Sequence, residues 1–256
     1  MQLLRLLALT LFCLIGTFQN HALAESKADE VLDKLDQGYY FPQESGLTKL
    51  KARIQWEQLD VASGSGKFLR NPDFIFQWMK NSGAGIRNFK ILADKSKYSA
   101  KRRFELKNQI ENYGEMIIPF TLKQKFSSFR SRLGEKARGR LGLLLKPESS
   151  DQSVVSYHLL INEADMKIET IRFRQRSAPY KVSARFNYEK LDGKWIISES
   201  NSRFSMGELD YDEKTTYRYK KFGDIWLVHR IDQILKQENT IFQSHRFKIS
   251  DVRATY

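Results

Sequence analysis

The stretch VSARFNYEKLDGKWII, residues 182–197, decides the fold class. Val182, Ala184, Phe186 and Tyr188 alternate with Ser183, Arg185, Asn187 and Glu189, so one face of an extended segment is apolar and the other polar. Asp192-Gly193 interrupts the run before Trp195 and Ile197. Asp-Gly between two such segments is the signal of a tight β-hairpin. Strands joined this way are antiparallel, because parallel neighbours need crossovers of about a dozen residues or more.

The same period spreads outward. Downstream, Tyr217 and Tyr219 face Trp226 and Val228 across Phe222-Gly223-Asp224, and Phe242 to Ile249 makes a last strand. Upstream, strands are expected at Leu141–Leu145, at Val155 to Ile161 and at Met166–Phe173. Nearer the start, Leu50, Ala52, Ile54 and Trp56 alternate with charged or amide residues. Phe74, Phe76 and Trp78 form a second set there, and Ile86–Ala93 a third. Two segments break the pattern. Ala28, Val31, Leu32 and Leu35 fall at i, i+3, i+4 and i+7, predicting a helix capped by Ser26 and ending near Gly38. From Ala100 to Leu133 alternation is weak, and two helices are expected. One includes Arg103–Ile110; the other starts at Pro119 and carries Leu122, Phe126, Phe129 and Leu133 at helical spacing. The expectation is a single α+β domain over residues 25–256: a large antiparallel sheet with an N-terminal helix and one or two mid-chain helices.

Residues 1–24 follow the grammar of a cleaved secretory signal peptide. Arg5 gives a positive start, Leu6–Phe18 an apolar stretch, and Ala22-Leu23-Ala24 a small-x-small cleavage site. The stretch is shorter than the ~20 residues that a membrane span needs. Phe12 before Cys13, where lipoprotein processing wants a small residue, argues against a lipid-anchored start. Beyond residue 24 there is no cysteine, which excludes a disulfide framework and thiolate metal sites. The expected location is the periplasm.

Motifs for chemistry are sparse. His158, His229 and His245 stand apart, each in an expected strand. Gly64-Ser65-Gly66-Lys67 lacks the first glycine and the following hydroxyl of a phosphate loop. Glu208, Asp210, Asp212 and Glu213 read as a solvated loop. No enzyme, no metal and no cofactor is expected. The charge is more informative. There are 43 basic and 30 acidic residues, a net +13. Residues 86–140 hold fifteen of the basic residues and only five acidic ones. Lys101, Arg102, Arg103 and Lys107 belong to the first expected mid-chain helix; Lys123, Lys125, Arg130 and Arg132 accompany the second. Two readings stand side by side: a solubilising face, or a surface attracted to anionic lipids or an acidic envelope protein. Export disfavours nucleic acid as the partner.

A signal peptide, a capped helix, then amphipathic strands with a helical interruption resembles the periplasmic lipoprotein-carrier (LolA-like) superfamily. Leu50–Trp56 is similar to that family's first strand. Gly66-Lys67-Phe68-Leu69-Arg70-Asn71-Pro72-Asp73-Phe74-Ile75-Phe76-Gln77-Trp78 is similar to its turn, basic residue, proline and aromatic strand. The detailed match covers residues 26–80. Ser82-Gly83-Ala84-Gly85 replaces the family's Asp-Gly turn. The resemblance implies a curved half-barrel closed by helices, with an apolar cavity for lipid or for the acyl chains of an acylated protein. On it, Trp56, Phe74, Phe76, Trp78, Phe186 and Tyr188 would face the concave side, with Phe120, Phe126 and Phe129 on the covering helices. Alternation assigns residues to a face; it leaves open whether that face is a filled core or a cavity.

Overall fold

The computed structural model describes residues 27–83, 85–92, 98–111 and 113–256. The expected signal peptide and Ser26 lie outside the described residues. Helix α1 spans 27–38. Four strands follow: β1 (Lys49–Leu59), β2 (Phe68–Arg70), β3 (Asp73–Met79) and β4 (Ile86–Leu92). Next come α2 (Ala100–Glu111), α3 (Gly114–Ile117) and α4 (Leu122–Lys125). The chain then runs through β5 (Phe129–Ala137), β6 (Arg140–Pro147), β7 (Val154–Asn162), β8 (Lys167–Gln175) and β9 (Lys181–Leu191). It ends with β10 (Lys194–Met206), β11 (Leu209–Phe222), β12 (Ile225–Gln237) and β13 (Thr240–Thr255).

All thirteen strands form one antiparallel sheet in the order β4-β3-β1-β13-β12-β11-β10-β9-β8-β7-β6-β5, with β2 paired to β1. The sheet is open, because β4 and β5 end it without meeting. The α+β half-barrel architecture holds. Asp192 (φ 49°) and Gly193 (φ 81°) make the expected tight hairpin between β9 and β10. Register shifts interrupt several ladders, among them β1–β13, β9–β10 and β11–β12. Such bulges add local twist and bend the sheet.

Two expectations need correction. The second mid-chain helix ends at Lys125, and Phe129–Ala137 is strand β5. Phe129, Ser131 and Leu133 share its inward face. Buried Ser131 donates to the Asp29 carboxylate of α1 (2.7 Å), a polar inward position that hid the alternation. Pro119 precedes α4 without joining it. Thr121 caps that helix reciprocally with Gln124, and the Asp36 carboxylate accepts from the Leu122 and Lys123 backbone N–H groups (2.7 and 3.0 Å). The acidic cluster is not a loop either: Asp210, Asp212 and Glu213 lie on β11.

One transverse row shows how the inner face is used. Leu133, Leu143, Leu159, Ile171, Ala184, Ser202, Glu213, Leu235 and Gln243 stand opposite one another across nine strands. The apolar end of the row lies in a core under α1, with Leu32, Leu35 and Phe126. A second core packs β1, β3, β4, β12 and β13 against α2 and α3, through residues such as Trp56, Phe76, Phe247, Leu106 and Ile117. Between the two cores the row turns polar, at Ser202 and Glu213.

Candidate functional site: an aromatic cavity between two cores

A cavity of about 550 Å³ occupies that gap, within the 300–1,000 Å³ common for ligand pockets. Its roof is Tyr39–Pro42, which follows α1, together with Met116, Ile117 and Pro119. The floor is the inner face of four strands: Phe186 and Tyr188 of β9, Ile197 of β10, Tyr217 and Tyr219 of β11, and Val228 of β12. Trp195 and Trp226 also line it.

The roof is tied down by backbone bonds rather than by packing alone. The Tyr40 N–H donates to the Trp195 carbonyl (2.9 Å), and the Tyr40 hydroxyl accepts from the Trp226 N–H (2.8 Å). The Tyr39 hydroxyl accepts from the Ile168 N–H (2.8 Å), while Tyr188 donates to the Ile168 carbonyl (2.7 Å). The two rings stack at 5.7 Å. Tyr219 donates to the Ile197 carbonyl (3.1 Å). These hydroxyls are satisfied by the sheet's own backbone, which leaves the rings to shape the space.

Electrostatics report the same enclosure. Removal from bulk water pushes the hydroxyls of Tyr188, Tyr217 and Tyr219 above the ordinary phenol value. Yet all three keep part of their surface uncovered. One wall is polar. Burial raises the carboxyl of half-buried Glu213, opposed by a hydrogen bond from Gln233. Gln233 also accepts from the Tyr113 hydroxyl (2.7 Å). Next to it, Trp56 Nε1 donates to His245 Nδ1 (3.0 Å), and burial pushes His245 down to about 4. A smaller cavity of about 380 Å³, lined by Trp56, Tyr113, Gln233 and His245, shares Met116 and Glu213 with the first. Among the described residues no group of three or more His, Cys, Asp or Glu could hold a metal ion. The arrangement can bury an apolar chain against aromatic rings and offer hydrogen-bonding groups along one side, with the Lys125–Glu115 ion pair also at its border.

Of the aromatic residues singled out from sequence, Phe186 and Tyr188 line this cavity. Trp56, Phe74, Phe76 and Trp78 are at most 3% exposed, inside the core of β1, β3, β4, β12 and β13. Phe126 and Phe129 pack edge-on against Tyr157 in the core under α1. Phe120 lies beneath the Arg87 guanidinium (3.8 Å). Tyr39–Pro42, Tyr217, Tyr219, Trp226 and Glu213 are among the lining residues that sequence reasoning did not single out as a site. The aromatic run directly after a helix stop was the signal for the first four.

The basic residues do not share one helical face. Lys101, Arg102, Arg103 and Lys107 are on α2, Lys123 and Lys125 on α4, and Arg130 and Arg132 on β5. Arg102 and Lys107 pair with Glu105 and Glu111 of their own helix. Lys123 pairs with Asp33 and Lys125 with Glu115, both at 2.6 Å.

No family model matches the chain, and no curated protein matches it. Solved structures do. One is a domain assigned as an outer membrane lipoprotein-sorting protein from Vibrio parahaemolyticus: 12% identity, 90% of this chain and 93% of that one, TM-score 0.42. A DUF1329 family protein from Desulfovibrio piger matches at 9% identity, 90% and 93% coverage, TM-score 0.36. The third is a LolA superfamily protein from Nitrosomonas europaea, with 9% identity, 90% of this chain and 94% of that one, and a TM-score of 0.42.

Proposed function

We propose that the chain is a periplasmic lipid- or lipoprotein-binding protein that sequesters acyl chains reversibly in the aromatic cavity, without covalent chemistry. The observation that carries this reading is the cavity of about 550 Å³ between the two cores, lined by Tyr39, Phe186, Tyr188, Trp195, Tyr217 and Tyr219. Each CH₂ buried there contributes about 0.8 kcal/mol, so a partly enclosed chain of several carbons suffices for binding. The two cores on either side are filled independently, so the fold does not need the cavity to be filled. A signal peptide at residues 1–24 would deliver the protein to the compartment where such ligands are moved. Native mass spectrometry of protein isolated from the cell envelope tests the reading. The expected result is a fraction carrying one acyl-containing ligand that detergent strips. Bare protein that also takes up no lipid on incubation would reject it.

A further inference from the structure

Three hairpin ends, β8–β9, β10–β11 and β12–β13, lie side by side at one end of the sheet. The register requires this. Lys181 opposes Arg174, Met206 opposes Leu209, and Tyr211 opposes both Phe204 and Gln237, which in turn opposes Thr240. These ends carry large apolar side chains in the open. Tyr180 is 63% exposed and Phe242 53%, with Met206, Leu209 and Ile241 close to 40%. The β10–β11 and β12–β13 turns are made by Gly207 and Asn239, both at positive φ, and ask for none of their apolar neighbours; in the β8–β9 turn the Tyr180 carbonyl accepts from the Gln175 N–H (3.0 Å), which leaves its ring free.

Exposed cations border the β8–β9 tip, while Glu208, Asp210 and Glu238 are exposed at the other two. Arg172, Arg174 and Lys181 make no ion pair with another described residue, and Arg174 stands directly opposite Lys181. Like charges facing each other across a ladder are unfavourable unless an anion is supplied from outside. On the neighbouring strands β10, β11 and β13, the ring of Phe204 stacks on Tyr211 (5.4 Å), and Phe242 meets Tyr211 edge-on (5.9 Å). A concavity of about 730 Å³ touches both sets, with Phe173, Phe204 and Tyr211 beside Arg172, Arg174 and Lys181, and with Asp210 and the Arg203–Asp212 ion pair on its other side. Phe173 also lines the aromatic cavity.

We propose that this hairpin end is a membrane-docking surface, whose apolar tips enter the interface of an anionic phospholipid bilayer while the bordering cations meet its headgroups. Apolar side chains flanked by unpaired cations are what an interfacial protein presents to such a surface. The docking surface stands apart from the cavity, and its test reads vesicle binding, not ligand uptake. If the proposed carrier function also holds, the strip from Phe242 through Tyr211 and Phe204 to Phe173 leads from the bilayer to the cavity.

Co-sedimentation with phosphatidylcholine vesicles, with and without phosphatidylglycerol, tests the proposal. Binding is expected to require phosphatidylglycerol and to weaken with salt. Removing two cations with Arg172→Gln/Arg174→Gln should weaken it about thirtyfold, and Tyr180→Ser/Phe242→Ser should abolish it. Lys101→Gln/Arg102→Gln on α2 should leave it unchanged. All these side chains are exposed, and circular dichroism checks that each variant folds. Failure to bind either vesicle, or binding that ignores both the tip and the strand variants, would overturn the proposal. So would a dimer in sedimentation velocity that Phe242→Ser dissolves without any vesicle binding, since the tips would then cover a second copy of the chain.

Discussion

His245 is 5% exposed and accepts a hydrogen bond from Trp56. Burial holds it at about 4, below the ordinary value near 6.5. The unfolded chain therefore takes up this proton first, and stability is lost as pH falls from about 6.5 toward 4. The loss is on the order of 3 kcal/mol at the acid end. Glu213 acts with the opposite sign. Its folded value lies above the unfolded 4.5, so its contribution declines as pH rises through the folded value. Urea unfolding at several pH values separates the two. His245→Gln should flatten the acid limb, and Glu213→Gln should raise stability at pH 7 while changing little at pH 4. An acid limb that survives His245→Gln would mean that another group carries it.

At the scale of elements, the short helix α4 is held from outside itself. The Asp36 carboxylate caps it by accepting from two backbone N–H groups, and Asp33 pairs with Lys123. Four residues cannot sustain a helix alone, so Asp36→Ala should cost about 1–2 kcal/mol and speed exchange of the 121–126 amides. Unchanged exchange there would show that the Thr121–Gln124 capping box suffices. The same elements show where the sequence was legible. Alternation at 182–197 and the Asp192-Gly193 turn fixed the hairpin that sets the sheet's direction. β5 was not legible, because Ser131 turns inward to meet Asp29 on a helix about a hundred residues away in sequence. Glu213 was hidden for a related reason. It sits among acidic residues that point to water, and only the register with Ser202 places it on the inner face. Trp56, Phe74, Phe76 and Trp78 were correctly given one buried face. What sequence alone does not encode is that α2 and α3 fill the space above them, while the space above Tyr217 and Tyr219 stays open.

Across the whole molecule, two cores flank one unfilled region. Four tryptophans report on it. Trp195 and Trp226 line the cavity, whereas Trp78 is packed in the core of β1, β3, β4, β12 and β13, and Trp56 in the same core borders only the smaller cavity beside it. A fatty acid brominated along its chain quenches only indoles it touches. Titrating it should quench the wild-type fluorescence saturably, and Trp195→Phe/Trp226→Phe should lose most of that quenching while still folding. No saturable quenching in the wild type, or quenching that persists undiminished in the double variant, would contradict the assignment of an acyl chain to this cavity.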